Sequence, residues 1–281
     1  MPKLSREIEM FLSWWRVTKS ALNVEAELNV RLAKVFEKVA DEVIGKLGDR
    51  LVAGDPQKKL AVGPIEDVKE KVRDLIYEYT KKATQSGRLE AASETGVHLD
   101  KLSESALQLL KDHAFEAADS TIERARGNVM GALQIAYDEG MGIDEAAQLL
   151  RDNVFEGLAN YESERIARTE IHSAQMGANH SVLVDASEYE MWITAEDDRV
   201  RDGSHGDADH VAMHGQIVRS GDAFSNGLMY PGDMSGDAGE WMNCRCALIA
   251  FEMPAGMAAP EGQDYFYEED LVEVETAAEA A

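Results

Sequence analysis

The chain has 281 residues, 44% of them hydrophobic, and carries 53 acidic against 28 basic side chains, for a net charge of −25. That much apolar material can bury a core, so the chain is not disordered as a whole. An acidic excess of this size argues against sequence-independent duplex binding, which needs clustered Lys and Arg to displace counterions from phosphates. The acids run through the whole sequence, the pattern expected of a protein built for high salt, where counterions screen its self-repulsion.

Residues 4–52 are expected to be helical. Ile8, Phe11, Leu12 and Trp15 form one apolar stripe, and Leu28, Leu32, Val35, Val39, Val43 and Leu47 continue it at helical spacing. Gly45, Gly48 and the AGDP at 53–56 are expected to stop it. A second helix opens after Pro64, with Ile65, Val68, Val72, Leu75, Ile76, Tyr79 and Ala83 on one face. A third helical region spans about 88–137, with a break expected near Gly96 or Gly127. GMGIDEAAQLLRDNV gives a short helix with Asp144 as N-cap. On the helix at 163–183, Ala167, Ile171, Ala174 and Ala178 share one side, and Arg165, Arg168, His172 and Asn179 the other.

The periodicity then changes. YEMWITA (189–195) alternates like a half-buried strand, Gln216–Val218 is a short apolar strand, and CRCALIAF (244–251) is a third. Between them lie polar, glycine-rich loops. From Glu252 onward there are nine acids and no base, the composition of a mobile tail or of one that folds only on a partner. The expected fold class is therefore α+β. A helical region at 1–140, for docking or oligomerisation, precedes a compact domain with a small sheet at 141–251 and an acidic tail at 252–281.

The two cysteines, Cys244 and Cys246, are one residue apart, too close for an unstrained disulfide. With no disulfide framework the chain fits a reducing compartment. The opening MPKLSREIEMFLSWWRVTK mixes acids and bases into every apolar run, so it is not expected to be a signal peptide. No stretch has the length of apolar sequence that a membrane span needs. The protein is expected to be made in the cytoplasm.

Metal-ligand types crowd 205–246. His205, His210, Cys244 and Cys246 form a candidate zinc set, a structural rather than a catalytic cofactor site. If 209–214 is helical, His210 and His214 share a face. The alternative is that both cysteines are packed as small apolar residues on one face of a strand. SHGDADH (204–210) is similar to the HxHxDH motif of metallo-β-lactamase-type hydrolases. Asp207 stands where that motif needs its second His, and almost no histidines follow. No nucleophile elbow, HExxH helix, P-loop or dinucleotide fingerprint is present, so no catalytic residue is assigned and no turnover is expected.

Taken in order, five motifs form a recognisable series. They are RIARTEI on a helix, WITAEDDRVR before Ser204–His205, HGQIV, a Pro-Gly turn and NCRC. Together they resemble the phage Mu F-like family of minor head or head-morphogenesis proteins of tailed viruses, over about 144–251. The resemblance singles out Arg168, Thr169 and Glu170 on the helix, and Trp192, Asp198, Arg199 and Arg201 in the turn. It also singles out Gly215 and Gln216, then Cys244, Arg245 and Cys246. An insertion, roughly GSHGDA, leaves His205 and His210 both eligible as the motif histidine.

What the resemblance implies is a structural virion protein, inside the head or at the portal vertex, acting in head assembly or in genome packaging or delivery. Its implied partners are the portal protein, the major capsid protein or both, with several copies per particle, no strong nucleic-acid binding and no membrane. The acidic composition points to a haloarchaeal host. Phe11, Trp14 and Trp15 are candidate docking anchors, with a place in the protein's own core as the alternative. A metal-dependent hydrolase or an assembly factor using the His/Cys cluster is the alternative function.

Overall fold

A computed structural model describes residues 6–47 and 58–274. Among them the expected α+β organisation is present: long helices first, then a small antiparallel sheet. The expected helix stops at Gly48 and 53–56, and the final acids at 275–281, lie outside the described residues. No helix among the described residues is long and apolar enough to cross a membrane.

The helices are α1 (Arg6–Leu47), α2 (Lys58–Asp67), α3 (Lys69–Thr95), α4 (Glu104–Asp138), α5 (Ile143–Leu150) and α6 (Ser163–Ala186). Helix α2 starts before Pro64 and contains it. Gly96, at φ 74°, follows the end of α3 in a conformation that costs glycine nothing. Gly127, by contrast, sits inside an uninterrupted α4. Gly142, not Asp144, caps α5: its N–H donates to the Glu145 carboxylate at 2.9 Å. Between α5 and α6 the chain stays helical through two π turns, Arg151–Phe155 and Leu158–Glu162.

The chain forms two compact units that interleave in sequence. One comprises residues 24–81 and 102–167; the other comprises 1–23, 82–101 and 168–281. No unit boundary falls at 140 or 251, where composition placed domain limits, because α1, α3 and α6 each supply residues to both units.

The unit at 24–81 and 102–167 is all helical. Leu28, Leu32, Val35, Val39 and Val43 of α1 are buried, as are Ile65, Val72, Ile76 and Tyr79, the stripes expected from spacing. Helix α4 packs on α2 and α5. Its buried face is Ala114, Ala118, Ile122, Ala125 and Val129, while Leu109 is 69% exposed. Alanine at that face lets helices approach closely, and a hydropathy count underrates it.

The other unit holds the sheet. Strands β1 (Tyr189–Ile193), β2 (Ile217–Arg219) and β3 (Ala247–Phe251) are ordered β2-β1-β3, all antiparallel. Strand β1 is buried at every position and not on one face only. It is the central strand, and Glu190, fully buried, pairs with His180 at 3.0 Å. The core also takes Val17 from α1, Ala91 from α3, and Met176 and Leu183 from α6. Gly87 is needed where α3 meets α6: a Cβ there would lie 2.2 Å from the Gln175 carbonyl oxygen.

Residues 252–274 are placed against this unit, in contrast to the expected mobile tail. Strand β4 (Met257–Ala258) pairs with β5 (Val272–Glu273), and Phe266 bridges to Ile217 and packs edge-on against Tyr189. Aromatic residues between the acids supply the burial that a charge count overlooked.

Glu90 of α3 accepts hydrogen bonds from Ser20 Oγ and, at 2.6 Å, from Gln175 Nε2. Burial pushes its carboxyl up to about 7, against the pull of Ser20, Gln175 and Arg16. The fold therefore favours the protonated form. Stability is fully present below the ordinary value of 4.5 and is lost as pH rises toward about 7. In urea unfolding at several pH values, Glu90→Gln is expected to remove this part of the pH dependence. Parallel curves for the two proteins across that window would refute it.

Candidate metal centre

The glycine-rich loops converge on one buried imidazole. Residues 203–208 fold out as a small loop, closed by the Asp202–Asp209 bridge and by Gly203 N donating to the Ala208 carbonyl at 3.2 Å. His205 is exposed on that loop, and His210, just past its closure, is 1% exposed. The structure thus separates the two eligible histidines. Residues 209–214 form turns and not a helix, so His214 points elsewhere, to Glu196 at 2.8 Å and to Thr194.

Nδ1 of His210 lies 3.4 Å from Cys246 Sγ and 3.7 Å from Cys244 Sγ. Nε2 faces Oε2 of Glu240 at 3.0 Å. Glu240 sits on the short helix α7 (Ala238–Trp241). The cysteines precede β3 instead of sitting on it. Asn243, at φ 57°, bends the chain so that both sulfurs turn to the same ring. His210, Cys244 and Cys246 therefore come together as the metal set expected, and His205 does not join them.

His172 was not among the expected ligands. On α6 and 6% exposed, it neighbours Cys244, and its buried Nε2 has no hydrogen-bond partner. Gly232, in the Pro-Gly turn, makes room for it: a Cβ there would lie 2.9 Å from the His172 ring. The expected polar side of α6 is interior, since Asn179 is buried as well. Trp192 stacks edge-on against His210 at 5.4 Å, with its indole nitrogen beside Cys246.

Burial opposes ionisation of Cys244, yet hydrogen bonds from Cys246, His172 and His210 hold its thiol well below the usual value. Burial and the neighbouring Cys244 drive Cys246 well above it. Burial also works against the charged form of His210, but Cys244 and Glu240 outweigh it and raise its pKa.

The other motif residues build the frame. Thr169 Oγ1 accepts from Asn243 N at 3.2 Å, joining the RTE helix to NCRC. Arg201 donates to the carbonyls of Glu240 and Met242. Arg245 clamps Asp197 with both guanidinium nitrogens, one at 2.8 Å, so Asp197 and not Asp198 is the anchor; Asp198 and Arg199 are exposed. Gly215, at φ 79°, and Gln216 hydrogen-bond through their backbones to Trp192, and the Gln216 side chain holds Ser225. Glu170 is buried and Arg168 half-buried on α6.

With that geometry in view, comparison with known proteins is specific. Residues 128–249 match the model of the family described as phage Mu protein F like protein. These residues are similar to the Mu F-like family. The match starts inside α4, earlier than the motifs alone indicated, and covers less than half of the chain. No curated protein and no solved structure matches the chain. Of the motif residues, Thr169, Trp192 and Arg201 frame the His210 cluster.

The Arg245 guanidinium holds the Asp197 carboxyl at about 2. Because this is below its ordinary 3.8, the pair stabilises the fold above that value and the contribution is lost as pH falls toward 2. Arg245→Met is expected to return the Asp197 midpoint toward 3.8, read by carboxyl NMR titration. An unchanged midpoint would show that Arg245 is not its cause.

Proposed function

We propose that this protein is a minor structural component of a tailed-virus head, inside the capsid or at the portal vertex, acting in head assembly or in genome packaging or delivery. The match of residues 128–249 to the Mu F-like family carries this reading. The motif residues act as scaffold around a buried centre, which supports a structural role without turnover. The alternative, a metal-dependent hydrolase, is less well supported. A catalytic metal keeps an open position, and His210, Cys244 and Cys246 are all buried.

The partners are the portal protein, the major capsid protein or both, with several copies per particle. Ile8, Phe11, Leu12 and Trp15 of α1 are each more than 40% exposed and lie at helical spacing, a surface suited to docking on a head subunit. Trp14 has a different role: its indole donates to the Arg245 carbonyl at 2.8 Å, and it packs on the core. The net charge of −25 fits a haloarchaeal virus and disfavours strong direct contact with nucleic acid.

Quantitative mass spectrometry of purified particles, with crosslinking, is expected to find a few to tens of copies, joined to portal or inner capsid subunits. Phe11→Ala with Trp15→Ala is expected to lower incorporation without lowering stability. Absence from particles, with abundance in infected cells, would sink the structural role. Separately, the unfolding midpoint is expected to climb with KCl into the molar range. A maximum in dilute buffer would remove the high-salt reading.

A further inference from the structure

We propose that His210, Cys244 and Cys246 hold one structural Zn2+ ion, with the His172 ring turning in as the fourth ligand. The inference is independent of the head-assembly reading, since it rests on the geometry of these side chains alone. Zinc bound tetrahedrally at about 2.3 Å to sulfur and about 2.0 Å to nitrogen sets the sulfur–nitrogen edge at about 3.6 Å. The observed edges from His210 Nδ1 are 3.4 and 3.7 Å. Two sulfurs and an imidazole nitrogen already stand as three corners of such a tetrahedron.

His172 stands outside the set of three whose ligand atoms lie within 4.8 Å of one another, and its ring must turn toward them to become the fourth corner. It approaches Cys244 from the α6 side, and its Nε2 is buried without a hydrogen-bond partner. A buried ring nitrogen left unpaired is costly, and a metal is the partner that this donor set would accept. Glu240 has another task. Its carboxylate is engaged with His210 Nε2 at 3.0 Å, the outer position that fixes a ligand imidazole and strengthens its donation through Nδ1. The Trp192 indole N–H beside Cys246 is placed to stabilise a thiolate in the same way.

Packing of neutral thiols as small apolar side chains does not account for the arrangement. It would leave Cys244, Cys246 and two imidazoles together in the interior with no reason to face one another. A disulfide between residues two apart is strained, and it would remove both sulfurs as ligands. Binding proceeds with loss of the thiol protons to solvent, so affinity falls at low pH. The ion ties α6, the loop after β1 and the NCRC bend into one unit.

The test uses the full chain, purified without chelator. Elemental analysis is expected to find about one zinc per chain that survives dialysis. Cobalt exchanged into the site is expected to show thiolate charge-transfer bands and the intense visible bands of a tetrahedral ion. Glu240→Gln is expected to weaken zinc binding about 10- to 100-fold, whereas His205→Ala leaves it unchanged. His172→Ala is expected to alter the cobalt spectrum, since solvent replaces one nitrogen. A wild-type protein that retains no zinc, and whose melting temperature ignores both chelator and added Zn2+, overturns the proposal. So does a His172→Ala spectrum identical to that of wild type. Should His172→Ala fail to fold, the wild-type chelator measurement still decides.

Discussion

An imidazole buried to 1% exposure has two nitrogens to satisfy, and His210 places a carboxylate at one and two sulfurs at the other. Much of the surrounding architecture follows from that demand. The 203–208 loop must close so that His210 points inward. The chain at 238–243 must turn so that Glu240 and Cys244 approach from opposite sides, which is why Arg201 is tied to two of its carbonyls and Thr169 to Asn243. The central strand β1 supplies Trp192 as the wall of the cluster, and Arg245 reaches out to fix Asp197 at the strand's far end. Polar groups in a low-dielectric interior are costly unless every one is answered, so one unanswered group would unsettle its neighbours.

The sequence was legible where spacing carries information. The helical stripes at 28–47 of α1 and along α3 were read correctly because large apolar residues recur at three and four, whereas the expected stripe at 8–15 is exposed. The order of five short motifs was enough to suggest the family whose model residues 128–249 match. The centre itself was half legible. His210, Cys244 and Cys246 were named as ligand types, but spacing could not tell His210 from His205, because only the closed loop decides which ring is inside. His172 was placed with Arg165, Arg168 and Asn179 on the polar side of α6 and not among the ligand types. That side instead faces a sheet, and a helix buried all round shows no clean stripe. A left-handed Asn243 turned the two cysteines off the expected strand, an event local to one φ angle.

Composition misled at the carboxy-terminal end for a related reason. Nine acids among the residues from 252 onward suggested a chain that water would keep. Phe266, 3% exposed, and the β4–β5 pair show that a few well-placed contacts suffice to fix an acidic segment.

The sheet-bearing unit draws on residues near 10–21, near 90 and from 168 to 266, all meeting around one core. A ribosome delivers such a chain from one end, at about 5–20 residues per second. Val17 and Trp14 therefore emerge many seconds before Trp192, Cys246 and Phe266, the partners of the core they will join. During that interval the amino-terminal end of α1 has nothing of its own unit to close upon, and contacts so distant in sequence form slowly. Assembly of this unit is thus an event that follows synthesis, and the aromatic end of α1 is left open to other company in the meantime.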